Sequence, residues 1–524
     1  MGVHVASLWT LLAVVISVVI VSLLPSPPHD WFWHMRVGQW ILEAGAIPST
    51  NRFAWTVPAD APYLYGAWLG GLLLYGLERL GGLELVVCVR NLLAGALLSL
   101  VALETHRRTG SWRFGGLAVL LAAVLLLSNV NVRPQMFAWA PFGLMSYLLG
   151  RYSQGRLGAV PLALWLAGLM AFWVNVHGTF VLAFALGGAT LAAMLLDYWR
   201  PASATPRAEP GLQAGYESGI VRTSARLWGL SGALGAMALA SLANPLGPGI
   251  YRHVETALHA PGQQLVSEWQ PPTPSGLAFG AFFLSILALL LVWAHQRQPP
   301  ATRDLLLVCG MVWLGWSAAR HVVWYGVVAI PILAEGLARM GSLPEGWLGN
   351  GRPRRAASVL ALLLLIPVVL VQPWFVRRLG LGDAYTQRML PSPAAPLLSR
   401  GTPFFAAEYL RQHPGGRLFN EMGFGSYLIW ALPEPQVFVD PRVADLFPLA
   451  LWEDYRAIGA GRDALELLDR YGVDRVLLRR DTQARLASAL ADAANWQREY
   501  MDPDAEVWRR TPAPALPNGA GTPT

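Results

Sequence analysis

The chain contains no lysine, so all 39 of its Lys-plus-Arg residues are arginine. Every fixed positive charge is therefore a planar fork of donors that stays protonated, a group suited to phosphate, although a genome-wide compositional bias leaves the same absence. Cysteine is almost missing as well. Cys88 and Cys309 are the only two, both inside apolar windows, which excludes a disulfide framework and a Cys-based metal site. Charged residues amount to 14% against 54% hydrophobic, and the mean hydropathy is +0.40, so 524 residues cannot make one ordinary soluble domain. The net charge of +7 does not point to nucleic acid, because the arginines are spread over short loops rather than gathered in one patch.

What is present is a series of apolar windows, several reaching the roughly 18 residues that suggest a bilayer span. The first, 6–24, lacks a basic n-region and a small-residue cleavage site before Pro25, and reads as a retained anchor. Further windows lie at 83–105, 117–130, 134–149, 159–174, 179–199, 227–243, 277–294, 305–316, 322–338 and 356–375, for about eleven spans in all. The stretch 63–80 reads either as a surface helix or as a span. If it lies on the surface, the loops carrying Arg107, Arg108 and Arg113, then Arg151 and Arg156, then Arg200, Arg207, Arg222 and Arg226, then Arg297 and Arg303, then Arg352, Arg354 and Arg355 all fall on one side. The excess of arginine in short cytoplasmic loops then puts the N-terminus inside and makes 25–82 a long external loop. Within it, helices are expected at 34–43, stopped by Gly45, and at 63–80, stopped by Gly81-Gly82.

The expected fold class is thus a polytopic α-helical membrane protein, 1–375, with a C-terminal extracytoplasmic α/β domain over 376–510 and a disordered Pro/Gly/Ala/Thr tail over 511–524. In the C-terminal domain, helices are expected at 403–411 and 460–471 and strands at 417–419, 436–439 and 475–478. A second long external loop covers 244–276.

With that topology the polar residues separate by side. Asp30, His34, Arg36, Asn51, Asn129, Asn131, Arg133, Gln135, Asn175, His177, Asn244, Arg252, His253, Glu255, His259, Glu268, Arg320 and His321 fall at or near the outer face, several of them on loops far apart in sequence. Ionisable groups near a bilayer are costly and usually functional. Arg133-Pro134 and Asn244-Pro245 also fit plain loop and helix-start positions, and His177 a satisfied interfacial histidine. Arg320-His321 has the same two readings, whereas Asp30, inside His29-Asp30-Trp31-Phe32-Trp33-His34-Met35-Arg36, is the least easily dismissed, because anchoring a loop calls for no carboxylate.

This octapeptide, with the surface helix ending at Gly45, resembles the catalytic subunit of oligosaccharyltransferase and, more loosely, the GT-C class of polyprenyl-phosphate-dependent glycosyltransferases. Val266-Ser267-Glu268-Trp269-Gln270-Pro271 is similar to that family's Ser-Val-Ser-Glu segment. Gly423-Phe424-Gly425-Ser426-Tyr427, Val437-Phe438-Val439-Asp440 and Val473-Asp474-Arg475-Val476-Leu477-Leu478 follow its order of C-terminal elements. Two departures stand out. Asn420-Glu421-Met422-Gly423-Phe424-Gly425 replaces the family's sequon-reading Trp-Trp-Asp-Tyr-Gly, and Ser128-Asn129-Val130-Asn131-Val132-Arg133 carries no pair of acids for a metal.

The resemblance implies an integral membrane glycosyltransferase that moves a sugar, with inversion, from a polyprenyl-phosphate-linked donor to a glycan or protein acceptor at the outer face of the cytoplasmic membrane. It implies Asp30 and Glu268 as catalytic residues, and His34, Arg36, Arg133, His177, Arg252, Trp269, Arg320 and His321 as substrate-binding ones. A Mg or Mn ion, if used, would fall to Asp30 and Glu268. No nucleic acid is expected as a partner, whereas membrane lipid is. Two other readings remain open at this stage: a non-catalytic subunit with the GT-C fold, and a lipid-handling transporter, for which midplane polar residues and repeated halves would be the signature.

Overall fold

The computed structural model describes residues 3–199, 213–260, 266–296, 298–340, 353–373, 397–399, 401–434, 436–442 and 446–511. The expected tail at 511–524 lies outside them from 512 onward, as does the end of the last window beyond 373. The chain divides into two compact units, a grouping that linear boundaries do not express. One comprises 1–25, 66–255 and 264–389, and the other 26–65, 256–263 and 390–524.

The first unit is helical. Each of the eleven expected windows coincides with a helix, from Val5–Ser22 to Arg355–Leu370. Among the described residues, six are long and apolar enough to cross a membrane, beginning with Val5–Ser22, Trp68–Thr109 and Ala159–Val176. Trp112–Leu126 and Arg355–Leu370 are apolar but shorter, and Thr302–Ser317 has only 16 residues with Arg303 and Asp304 at its start. The protein is therefore a multi-pass membrane protein, and the expected count of spans is not matched by that stricter measure.

The ambiguous stretch resolves into a helix that begins at Trp68, later than expected, and breaks at Gly81-Gly82. Gly82 has φ 73°, ψ −176°, a conformation that only glycine adopts readily. The segment before the break is about 20 Å long at 1.5 Å per residue, too short for a bilayer core of about 30 Å.

Polar side chains tie the helices together at their ends. Buried Arg90 donates from Nη2 to Val21 O (2.8 Å) and to Asn91 Oδ1 (2.7 Å), which satisfies an end carbonyl of the Val5–Ser22 helix. Asn91 then donates to Gln372 Oε1 (2.8 Å), and Gln372 to Ser22 Oγ (3.1 Å). Elsewhere Arg108 meets Glu104 and Asp304 at 2.8 Å and Glu335 at 2.7 Å, joining three helices through one guanidinium.

The second unit carries a four-stranded sheet in the order Leu418–Asn420, Arg475–Arg479, Ala505–Arg510, Trp496–Met501; the first pair is parallel and the others antiparallel. Helices Phe404–Gln412, Met422–Ala431, Leu449–Gly459, Ala464–Arg470 and Ala484–Asp492 accompany it. The segment 436–439 is not a strand of this sheet. Its Val437 instead bridges to Ala54, with Val437 N–H donating to Phe53 O at 2.8 Å, because the first loop belongs to the same unit. The expected helix at 460–471 is shorter, starting after Asp463, whose φ of 48° interrupts any earlier turn.

The helix Trp31–Ala44 ends at Gly45, as its sequence indicates, and packs on Met422–Ala431. Phe32 meets Tyr427 edge-on at 4.8 Å, and Trp33 N–H donates to Ser426 Oγ at 3.3 Å. A second tie is ionic. Arg442, fully buried, grips Asp440 in two bonds of 2.9 and 2.7 Å and reaches Asn51 Oδ1 (3.4 Å) and Tyr65 Oη (3.3 Å) in the first loop.

Removing one member of such a buried pair leaves an uncompensated charge. Arg442→Met should therefore destabilise the protein by about 3–5 kcal/mol, read as a lowered unfolding midpoint of the full chain. The double variant with Asp440→Leu should lose much less than the sum of the two single changes.

Candidate functional site

Three loops of the first unit converge on one carboxylate. Glu268 sits in a single 3₁₀ turn, Ser267–Trp269, with Arg133 Nη1 2.6 Å from its Oε2 and Arg320 Nη1 donating to its Oε1 at 3.1 Å. The arginine side chains are 4% and 10% exposed and the glutamate 25%. Taking two guanidiniums out of water costs several kcal/mol each unless the charge is compensated, and here one carboxylate serves both.

The loops are fixed by their own bonds. Asn129 donates to the carbonyl of Arg320 at 2.9 Å, and Arg320 Nη2 donates to Gln135 Oε1 at 3.3 Å, joining the 128–135 loop to the start of the Val322–Met340 helix. Trp269 stacks under the Arg320 guanidinium at 4.5 Å and meets His321 edge-on at 5.9 Å. The Ala319 N–H donates to Gln270 O at 2.9 Å. Gly70, on the Trp68–Thr109 helix, lies so close that a Cβ there would come 2.7 Å from Pro134 and 2.8 Å from Val176 O. Trp68 Nε1 donates to Asn175 Oδ1 at 2.9 Å on the same side.

His177 forms the edge of this cluster. Its Nδ1 accepts from the Thr179 N–H at 3.1 Å, which leaves the ring proton on Nε2. Burial, then the positive charges of Arg320, Arg133 and His321, push its pKa down to about 3, against a smaller opposing pull from Glu268. It is neutral at any physiological pH.

Six of the ten residues proposed from sequence thus gather here: Arg133, His177, Glu268, Trp269, Arg320 and His321. Arg252 lies exposed on the helix Gly249–His259, and no hydrogen bond or ion pair joins it to the cluster among the described residues. Asp30, His34 and Arg36 belong to the second unit. Asp30 holds the N-cap position of Trp31–Ala44, yet its side chain does not cap the helix. His34 stacks on Trp33 at 3.6 Å, and Arg36 donates to Gln39 Oε1 and Pro433 O, both at 3.0 Å.

Asn129 and Gln135 stood in the sequence only as outer-face polar residues, yet they brace the arginines directly. Their nearness to Arg133 in the chain was the available signal. Asn244 takes its plain reading, accepting from the Leu246 N–H at 2.8 Å in a turn. The segment that replaces the sequon-reading motif is used internally: Asn420 donates to Val439 O (2.8 Å), and Glu421 caps Met422–Ala431 by accepting from the Phe424 N–H (3.0 Å).

The donor set does not suit a divalent cation. Both Glu268 oxygens already face guanidiniums, and no group of three or more His, Cys, Asp or Glu residues arranged to hold a metal occurs among the described residues. Two guanidiniums from separate loops meeting at one carboxylate form a set of donors whose chemistry suits an anion's oxygens.

No family model matches the chain, and no curated protein matches it. Among solved structures it is similar to the arabinofuranosyltransferase AftD from Mycobacteria, at 14% identity and a TM-score of 0.52, over 98% of this chain and 42% of that one. It is similar also to the archaeal oligosaccharyltransferase AglB from Archaeoglobus fulgidus in complex with an inhibitory peptide and a dolichol-phosphate (13%, TM-score 0.49, 90% and 69%). A third is ArnT from Cupriavidus metallidurans bound to undecaprenyl phosphate (14%, TM-score 0.46, 96% and 97%). The likeness is one of fold: the expected resemblance to the GT-C glycosyltransferases holds at that level, and this chain spans less than half the length of AftD.

Because His177 titrates near 6.5 when unfolded and near 3 when folded, the unfolded chain binds the extra proton between those values. Stability should fall as the pH drops from about 6.5 toward 3. In His177→Asn, whose Oδ1 can still accept from Thr179, unfolding midpoints measured across this range should depend less on pH than in the wild type.

Proposed function

We propose that the protein is a membrane glycosyltransferase that moves a sugar from a polyprenyl-phosphate-linked donor to an acceptor hydroxyl on a glycan or protein, at the outer face of the cytoplasmic membrane. The observation that carries this reading is the buried Arg133–Glu268–Arg320 cluster, an anion site at the helix ends of a fold shared with AftD. In the proposed orientation the N-terminus is cytoplasmic and the C-terminal domain extracytoplasmic, following the arginine distribution.

The roles follow from the chemistry. The acceptor oxygen forms a bond to the anomeric carbon while the bond from that carbon to the phosphate oxygen breaks, with inversion. The acceptor proton passes to a general base, a role worth about 10²- to 10⁴-fold, and the resemblance of the octapeptide around Asp30 nominates that carboxylate for it. The electron pair leaves on the phosphate, where Arg133 and Arg320 stabilise it, releasing a polyprenyl phosphate. Trp269 lies under the Arg320 guanidinium, and His177 and His321 line the same cluster. The reaction so drawn needs no divalent metal and no nucleic acid.

A carboxamide in place of the Asp30 carboxylate keeps shape and removes the base. In intact cells, Asp30→Asn should abolish the glycan species that depend on this protein, as read by comparing glycan profiles with the wild type. An unchanged profile at normal membrane levels of the variant would remove the catalytic reading and favour a non-catalytic subunit.

A further inference from the structure

Glu268 occupies the very donors that a phosphate would need. Its Oε2 lies 2.6 Å from Arg133 Nη1, and its Oε1 accepts from Arg320 Nη1 at 3.1 Å. We propose that Glu268 is a built-in competitor for the substrate anion: it holds the Arg133–Arg320 clamp in the resting protein and yields it when a phosphoester binds. This rests on reading the cluster as a phosphate site, and it gives Glu268 a role other than catalytic residue or metal ligand.

Three observations favour exchange over a permanent ion pair. The arginines are the fixed members, 4% and 10% exposed, with Arg320 held by Gln135 and Trp269 and its backbone by Asn129, whereas Glu268, on a single turn, is 25% exposed. Gln135, only 1% exposed, has its Nε2 buried with no hydrogen-bond partner among the described residues, although its Oε1 is engaged by Arg320. A buried donor left unmatched beside two guanidiniums is what an anion larger than a carboxylate would complete. Finally, the charges balance in both states. Two guanidiniums and one carboxylate leave one net positive charge, and replacing the carboxylate by a phosphodiester, also singly charged, leaves the same sum. The departing phosphomonoester carries about −1.5 to −2 near neutral pH. The returning glutamate then competes with it and speeds its release.

The test uses the full-length protein in lipid nanodiscs and titrates farnesyl phosphate, inorganic phosphate and farnesol. Glu268→Gln should bind farnesyl phosphate about tenfold more tightly than the wild type, the gain expected if the clamp is open in roughly one molecule in ten and becomes open throughout. Glu255→Gln, an exposed acid outside the cluster, should leave the affinity unchanged, so that a general rise in positive charge does not pass for competition. Unchanged or weaker binding by Glu268→Gln, with binding lost in Arg133→Gln and Arg320→Gln, would overturn the competitor role and leave the phosphate clamp standing. Arginine variants that bind like the wild type would overturn the clamp itself. Farnesol binding as tightly as farnesyl phosphate would do the same. If Glu268→Gln fails to fold, Glu268→Asp keeps the charge on a shorter stem and should bind with intermediate affinity; wild-type or weaker binding there would overturn the proposal. Farnesyl phosphate outcompeting inorganic phosphate assigns the clamp to a lipid headgroup, and parity assigns it to free phosphate. The competitor role stands in either case.

Discussion

Two guanidiniums buried at the ends of membrane helices impose the main constraint on the first unit. Each would cost several kcal/mol if left uncompensated, comparable to the whole stability of many domains. The 128–135 loop, the 266–270 segment and the turn at 318–321 must therefore close on one another, and Glu268 is the charge that lets them do so without a ligand. The approach of the Trp68–Thr109 helix at Gly70, with Trp68 bonded to Asn175, belongs to the same closure. A carboxylate in this position compensates both guanidiniums, and on the proposed reading a substrate anion takes its place.

The second unit uses the same device for a different end. There the guanidinium of Arg442 is paired permanently: Asp440 lies two residues away, both are fully buried, and Asn51 and Tyr65 add further acceptors. The result is a first loop built into the C-terminal residues, with Trp31–Ala44 seated on Met422–Ala431. Asp30, at the head of that helix, takes its position from this packing. One pair is sealed from solvent, and the other is a partly exposed carboxylate shared by two arginines.

Much of the helical frame was legible in the sequence because hydrophobic windows report burial directly, and all eleven windows coincide with helices. Gly45 and Gly81-Gly82 marked a helix end and a break, since positive φ leaves few alternatives to glycine. The start at Trp68 was missed because Tyr63 and Tyr65 are apolar for another reason: they pack beside Arg442. The hairpin of Trp496–Met501 and Ala505–Arg510 was also missed, although Asp502-Pro503-Asp504 signals a turn; its strands are rich in arginine and glutamate and lack a clear apolar alternation. Residues 436–439 look like a sheet strand by composition, and only the tertiary pairing with Ala54 decides otherwise. For the site, residue types singled out the participants, but the meeting of Glu268 with Arg133 and Arg320 depends on helix packing, which no local pattern encodes.

The most direct test of the account is a cryo-EM map of the full-length protein in nanodiscs with farnesyl phosphate. Phosphate density is expected between the Arg133 and Arg320 guanidiniums, within hydrogen-bond reach of Gln135 Nε2, with the Glu268 carboxylate turned away. Phosphate bound elsewhere, with Glu268 still bridging the two arginines, would contradict it.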